Sequence, residues 1–199
     1  MVGRAVAGLL AGEPVVLPTD TVYGLAANPE REEWALAALA LKGRPDGKPT
    51  ALLAGSVDAL LERLPELRVS AAVLCALLPG PYTLVVPNPA RRYPWLTGRR
   101  PEAIGVRVPE LPAPSQQVLD RVGIVLATSA NDPGGPDPAT LDDVPRRIRD
   151  ASAAAIDAGR LPGTPSTVLD LTGDEPRVLR EGAVPADEAL AKVRDGLGQ

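Results

Sequence analysis

Six short clusters in this chain carry side chains able to do chemistry, and none holds a histidine, since the sequence contains none. Thr19-Asp20-Thr21 sets two hydroxyls around a carboxylate, just after the apolar run Val15-Val16-Leu17 and Pro18. Lys42-x-Arg44 holds two cations close together between Gly43 and Pro45. Arg107 stands alone between Val106 and Val108. Ser129-x-Asn131 offers a hydroxyl and an amide directly after an apolar segment, and the Gly134-Gly135 pair behind it lets backbone approach a ligand closely. Ser166-Thr167 and Arg180-Glu181-Gly182 add further hydroxyls and a cation. Several cations and many hydroxyls, without His and without a nucleophilic Cys, suit a polyanion whose reaction is driven by positioning and charge neutralisation. Nucleoside triphosphate chemistry has that character.

Each cluster also has a plainer reading. Lys42 and Arg44 are what a helix C-terminus takes to satisfy its dipole. Ser129 to Asn131 reads as an Asx turn in an ordinary loop. Arg107 is either an edge residue facing water or a paired group pointing into a cleft. Gly43-x-x-x-Gly47-Lys48 imitates a P-loop, but the spacing is one residue short and Pro49 stands where Ser or Thr should ligate Mg²⁺. It also precedes a strand, whereas a P-loop opens a helix whose amides hold phosphate. Cys75 lies in the apolar run 71–78 and is expected to fill core rather than attack a substrate.

The elements that would position these groups alternate. Helices are expected over Val2–Ala11 with Gly12 as C-cap, Glu30–Leu41, the segment capped by Ser56 or Asp58 up to Leu64, Ser70–Leu78, Ser115–Arg121, a helix capped by Thr140 through Ile148, and an amphipathic helix from Asp187. Strands are expected at Val15–Leu17, Thr50–Ala54, Tyr82–Val86, Ile104–Val108, Gly123–Ala127, Ala153–Ile156 and Val168–Leu171, with a strand end at Val178–Gly182. The alternation predicts an α/β fold, and strands joined by turns alone predict a mixed sheet. The polar clusters follow apolar strands, which is where open α/β sheets present a site.

Composition bounds the rest. One domain is the default at 199 residues, long enough to bury roughly 70% of the unfolded surface. The core must be built largely from Ala, Val and Leu, because Phe is absent. A net charge of −4 argues against a whole-surface nucleic-acid binder and leaves only a local patch from Arg91, Arg92, Arg99 and Arg100. One cysteine suits a reducing cytosol, so a cytoplasmic location is expected. No stretch reads as a signal peptide or a membrane span. A protein-held metal is not expected either.

Seven ordered motifs resemble the YrdC/TsaC family, the threonylcarbamoyl-adenylate synthases. They are Pro18-Thr19-Asp20-Thr21-Val22-Tyr23-Gly24-Leu25, Lys42-x-Arg44-Pro45, Pro79-Gly80-Pro81-Tyr82-Thr83, Val106-Arg107-Val108-Pro109, Thr128-Ser129-Ala130-Asn131, Pro165-Ser166-Thr167-Val168 and Leu179-Arg180-Glu181-Gly182, within about residues 12–184. The resemblance implies one YrdC-like domain over 1–199, a twisted open mixed sheet with flanking helices around a large concave cleft. It implies that L-threonine, bicarbonate and ATP, with Mg²⁺, become threonylcarbamoyl-adenylate and pyrophosphate for a tRNA threonylcarbamoyl transferase complex. Lys42, Arg44, Ser129 and Asn131 would hold the nucleotide, with Lys42 and Arg44 acting on the phosphates. Arg180 would contact phosphate, and Thr19, Arg107 and Ser166 would lie near threonine. Many members have histidine where this chain has Leu111, and the extra C-terminal domain of longer relatives is not expected here. Two other readings stand beside this one: an RNA-binding or ribosome-maturation module, with weak RNA contact through the arginines, and a carbamoyl-transfer domain of the hydrogenase-maturation kind.

Overall fold

Nine strands form one mixed sheet in the computed structural model, which describes residues 1–44 and 47–198. They are β1 (Val15–Pro18), β2 (Tyr23–Ala27), β3 (Ala51–Ala54), β4 (Tyr82–Pro87), β5 (Ala103–Arg107), β6 (Ile124–Ser129), β7 (Ala154–Ala155), β8 (Thr167–Asp170) and β9 (Arg177–Arg180). Their order across the sheet is β7-β1-β2-β6-β3-β5-β4-β8-β9. The pairs β1–β7, β3–β5 and β4–β8 are parallel and the rest antiparallel. The helices are α1 (Val2–Ala11), α2 (Glu32–Lys42), α3 (Val57–Arg63), α4 (Ala71–Leu77), α5 (Ala113–Val122), α6 (Arg146–Asp150) and α7 (Ala186–Leu197).

The two faces of the sheet are covered unequally. On one face α2, α3, α4 and α7 pack over Leu52, Leu84, Val106, Leu126 and Leu169, so helices run under the whole span from β6 to β8. On the other face α1 and α5 pack over Val15, Leu17, Ala26, Leu53 and Val125 and go no further. β5, β4 and β8 are therefore bare on that face. Their burial says the same: β1 and β2 are buried at every position, whereas β4 and β8 alternate buried and half-buried. Period-two burial is the mark of a strand with one wet face. The wet face is concave, and its floor carries small or polar residues: Thr83, Val85, Ala103, Gly105, Arg107 and Val168.

The observed elements differ from the expected ones in three places. Tyr23–Ala27, assigned to no expected element, is a strand hairpin-paired with β1. Its alternation is invisible in sequence because both faces are buried and every residue is small or apolar. Thr140 caps only a single 3₁₀ turn, Leu141–Asp143, through a reciprocal Thr140–Asp143 box. Pro145 then begins the separate helix α6. Cys75 is exposed, because Val73, Leu74 and Leu77 take the inward stripe of α4 and Cys75 falls on the opposite side.

Candidate active site

The bare half of the sheet forms the floor of a cavity of about 590 Å³, within the usual range for small-molecule sites. Among the described residues, seven cationic side chains line it: Lys42, Arg44, Lys48, Arg99, Arg100, Arg107 and Arg180. Asp137 is the one carboxylate among those lining residues. A chain of formal charge −4 has thus gathered positive charge into one concavity, where low-dielectric walls focus the field.

One end of the cavity is built by the C-terminus of α2. Ala and Leu make this a strong helix, and Glu32 and Glu33 favour its first turn. Gly43 ends it at φ 70, a conformation that favours glycine, while the Gly43 and Arg44 amides close on the Ala40 and Leu39 carbonyls. Lys42 is buried as the last helical residue, and its Nζ donates to both the backbone carbonyl and Oδ1 of Asn131. Ser129 Oγ donates to the same Oδ1 at 2.7 Å, and Asn131 Nδ2 donates to the Gly135 carbonyl at 2.6 Å. Arg44 NH1 donates to Thr128 Oγ1 at 3.0 Å, while its Nε donates to the Lys48 carbonyl at 3.3 Å and NH2 to that of Pro49. Lys42, Arg44, Ser129 and Asn131 are therefore one network in space, which removes the plain Asx-turn reading. Burial, with Arg44 next in effect, brings the Lys42 ammonium down to about 8. Burial also lowers Arg44, whose guanidinium stays charged at neutral pH.

The deeper end is built on β5, β8 and β9. Arg107 NH2 donates to Asp20 Oδ1 at 2.9 Å and to Thr21 Oγ1 at 3.3 Å. Burial raises the Asp20 carboxyl, and the Arg107 guanidinium offsets only part of that rise. Arg180 NH2 donates to the Ser166 carbonyl at 2.8 Å and lies 3.3 Å from its Oγ, which in turn bonds Thr83 Oγ1 at 2.8 Å. A Cβ at Gly182 would collide with the Pro165 carbonyl and with Ser166, so glycine is what lets β9 close on the loop that carries Ser166.

Seven of the eight candidate residues line the cavity and one does not. Lys42, Arg44, Arg107, Ser129, Asn131, Ser166 and Arg180 all line the cavity. Thr19 does not. It is buried in the β1–β2 turn, where its Oγ1 accepts the Thr21 and Val22 amides at 3.2 Å and donates to the Val22 carbonyl at 2.7 Å. Tyr23 is likewise structural: its ring is fully buried, and its hydroxyl is within bonding distance of Asp157 Oδ1 and the Gly159 carbonyl. Pro45, the last member of Lys42-x-Arg44-Pro45, lies outside the described residues. Leu111 packs against the α1/α5 cluster, away from the large cavity. Lys48, Thr83, Arg99, Arg100 and Asp137 were missed as lining residues. The small-residue floor was readable: Ile104-Gly105-Val106-Arg107 alternates apolar with small or charged, and Thr83 has the same phase in β4.

Two members of the arginine-rich stretch are paired with carboxylates: Arg92 with Glu66 at 2.9 Å, and Arg100 with Asp170 at 2.9 Å while lining the cavity beside Arg99. No helix among the described residues is long and apolar enough to cross a membrane. Among the same residues no three of Asp, Glu, His and Cys cluster to hold a metal.

Comparison with known proteins gives one family. The Sua5/YciO/YrdC family profile, described as "Telomere recombination", matches residues 8–182. A threonylcarbamoyl-AMP synthase of Pseudomonas aeruginosa is 34% identical over 165 residues, covering 80% of this chain and 86% of that protein. The crystal structure of Pyrococcus abyssi Sua5 complexed with L-threonine superposes with a TM-score of 0.75 at 28% identity, over 96% of this chain. This chain spans 56% of that protein's length. Escherichia coli YciO superposes with a TM-score of 0.78 at 27% identity, covering 95% of this chain and 92% of that one.

Proposed function

This chain belongs to the Sua5/YciO/YrdC family, and from that premise we propose that it is a threonylcarbamoyl-AMP synthase. It takes L-threonine, bicarbonate and ATP and releases threonylcarbamoyl-adenylate and pyrophosphate. The product goes to a transferase complex that modifies adenosine in tRNA, and the work is done in the cytoplasm. The observation that carries this reading is the cavity: an acidic chain concentrates seven cations around a volume fit for a nucleotide and an amino acid.

The reaction divides between the two ends. Threonine's amine adds to carbon dioxide derived from bicarbonate, giving a carbamate. A carbamate oxygen then attacks the α-phosphorus of ATP, and pyrophosphate leaves. At the α2 end Lys42 and Arg44 face the triphosphate and offset the charge that grows on the leaving phosphates. Ser129 and Asn131 fix the Lys42 ammonium so that little reorganisation is needed when that charge appears. Mg²⁺ enters with the triphosphate as part of the substrate, since hard-cation sites of this kind lean on substrate phosphates. At the deeper end Arg107 receives threonine's carboxylate and Arg180 offers a second guanidinium beside Ser166. The test is release of radiolabelled pyrophosphate from γ-labelled ATP. Release is expected only with threonine and bicarbonate both present. Threonine-independent release, or none, would overturn the assignment.

A further inference from the structure

Asp20 is a carboxylate that the proposed reaction does not use, yet it is the closest charged partner of Arg107. The two are bonded at 2.9 Å, with side chains only 10% and 12% exposed. The contact is a single bond from NH2, shared with Thr21 Oγ1. Asp20 Oδ2 and Arg107 Nε are both buried and have no partner among the described residues. A guanidinium and carboxylate this close ordinarily form two parallel bonds. Here one is made and the atoms of the second are held apart. The guanidinium is thus tethered by one corner, and Arg107 lines the cavity while Asp20 does not.

Charge counting supports the same picture. Arg180 is near enough to bear on Arg107, so the deeper end holds two guanidiniums and one carboxylate. That leaves room for one monoanion. Asp20 thus makes the pocket neutral enough to fold and positive enough to accept a single carboxylate.

We propose that Asp20 is a positioning residue: it holds the Arg107 guanidinium by NH2 so that its other amino group, NH1, meets a ligand carboxylate in the cavity. This rests on the synthase reading for the identity of that ligand, an α-amino acid. The alternative role, that Asp20 props up neighbouring backbone amides, is not favoured: among the described residues the only backbone amide near its carboxylate is its own.

The experiment compares L-threonine with L-threoninamide, which lacks the carboxylate, by titration calorimetry, so no turnover is needed. The unaltered protein is expected to favour threonine by about tenfold or more. Asp20→Ala is expected to bring that preference to within about threefold, whereas Asp20→Asn, which keeps an acceptor for NH2, retains it. In an Arg107→Met background, exchanging Asp20 for Asn or Ala is expected to shift threonine affinity less than about twofold, because the residue through which Asp20 acts is gone. If Asp20→Ala does not fold, Asp20→Ser takes its place, since its hydroxyl stops short of NH2. An alanine or serine variant with undiminished preference overturns the proposal. So does an Asp20 effect that persists without Arg107, or an unaltered protein that binds both ligands equally. A protein that prefers threonine but releases no threonine-dependent pyrophosphate overturns the synthase reading and leaves the role of Asp20 standing.

Discussion

At the scale of single residues, Lys42 is the group whose protonation sets how the cavity handles phosphate. Its value of about 8 lies below the ordinary 10.5, chiefly because the ammonium is buried. The folded empty protein therefore binds this proton less tightly than the unfolded chain. The charged lysine opposes folding below about pH 8, and that opposition fades as pH rises from about 8 to 10.5. A phosphate ligand acts in the opposite sense, because it favours the charged form. Nucleotide affinity is expected to hold steady from pH 6.5 to 8 and then to fall by up to about tenfold per pH unit. A Lys42→Arg variant, permanently charged, is expected to bind more weakly at neutral pH but without that fall. Equilibrium titration with ATP from pH 6.5 to 9.5 checks both. Cys75 gives a second check at this scale. Because it is exposed, a thiol reagent is expected to modify it stoichiometrically within minutes in the folded protein, as fast as in denaturant. Protection in the folded state would contradict the orientation of α4.

At the scale of elements, the site depends on how two ends of chain are clasped. Thr167 Oγ1 donates to the Val184 carbonyl at 2.6 Å and accepts the Gly182 and Val184 amides, so β8 is locked to the turn after β9. Gly182 fits only without a side chain. Gly182→Ala is expected to cost about 1–3 kcal/mol by overpacking and to weaken threonine binding, since Ser166 and Arg180 move with that turn. Denaturant unfolding beside threonine titration measures the two effects. Much at this scale was legible in the sequence. Gly12 and Gly43 mark where α1 and α2 end, Ser56 caps α3, and the Ile104–Val108 alternation announces a strand with one wet face. What failed had physical causes. β2 is buried on both faces and shows no period. Pro145 divides what hydrophobic spacing alone joins into one helix. Thr19 has the chemistry of a ligand-binding hydroxyl, but its position in a tight turn directs it to backbone amides instead. For β2 and Thr19 the deciding partner is distant or backbone and leaves no trace in the local pattern of side chains, whereas Pro145 was itself a legible break that apolar spacing overrode.

At the scale of the whole molecule, net charge and local charge have opposite signs, and the cavity grades from open to enclosed. Lys48, Arg99 and Arg100 are exposed, whereas Lys42 and Arg107 are nearly or largely buried. Mobile ions screen the first group well and the second poorly. The preference for ATP over AMP is therefore expected to shrink several-fold between about 0.05 and 0.5 M salt, while threonine affinity changes less than about twofold. Titrating the three ligands at both salt concentrations tests this. A preference for ATP that ignores salt would place the triphosphate away from the outer cations.

The strand order carries one more consequence, for how the molecule is made. β1 pairs with β7, so Val15 must find Ala154, and β2 pairs with β6, so Gly24 must find Ser129. The cavity floor waits for β8, which reaches β4 only after Thr167 has been synthesised. Such distant partners make closure of the chain entropically costly and slow. A nascent chain released as far as Asn131 already contains Lys42, Arg44 and Ser129, yet it lacks the strands that complete the deeper end. Ligand binding should therefore arise in one late step rather than grow with chain length, and the substrates can favour only the finished sheet.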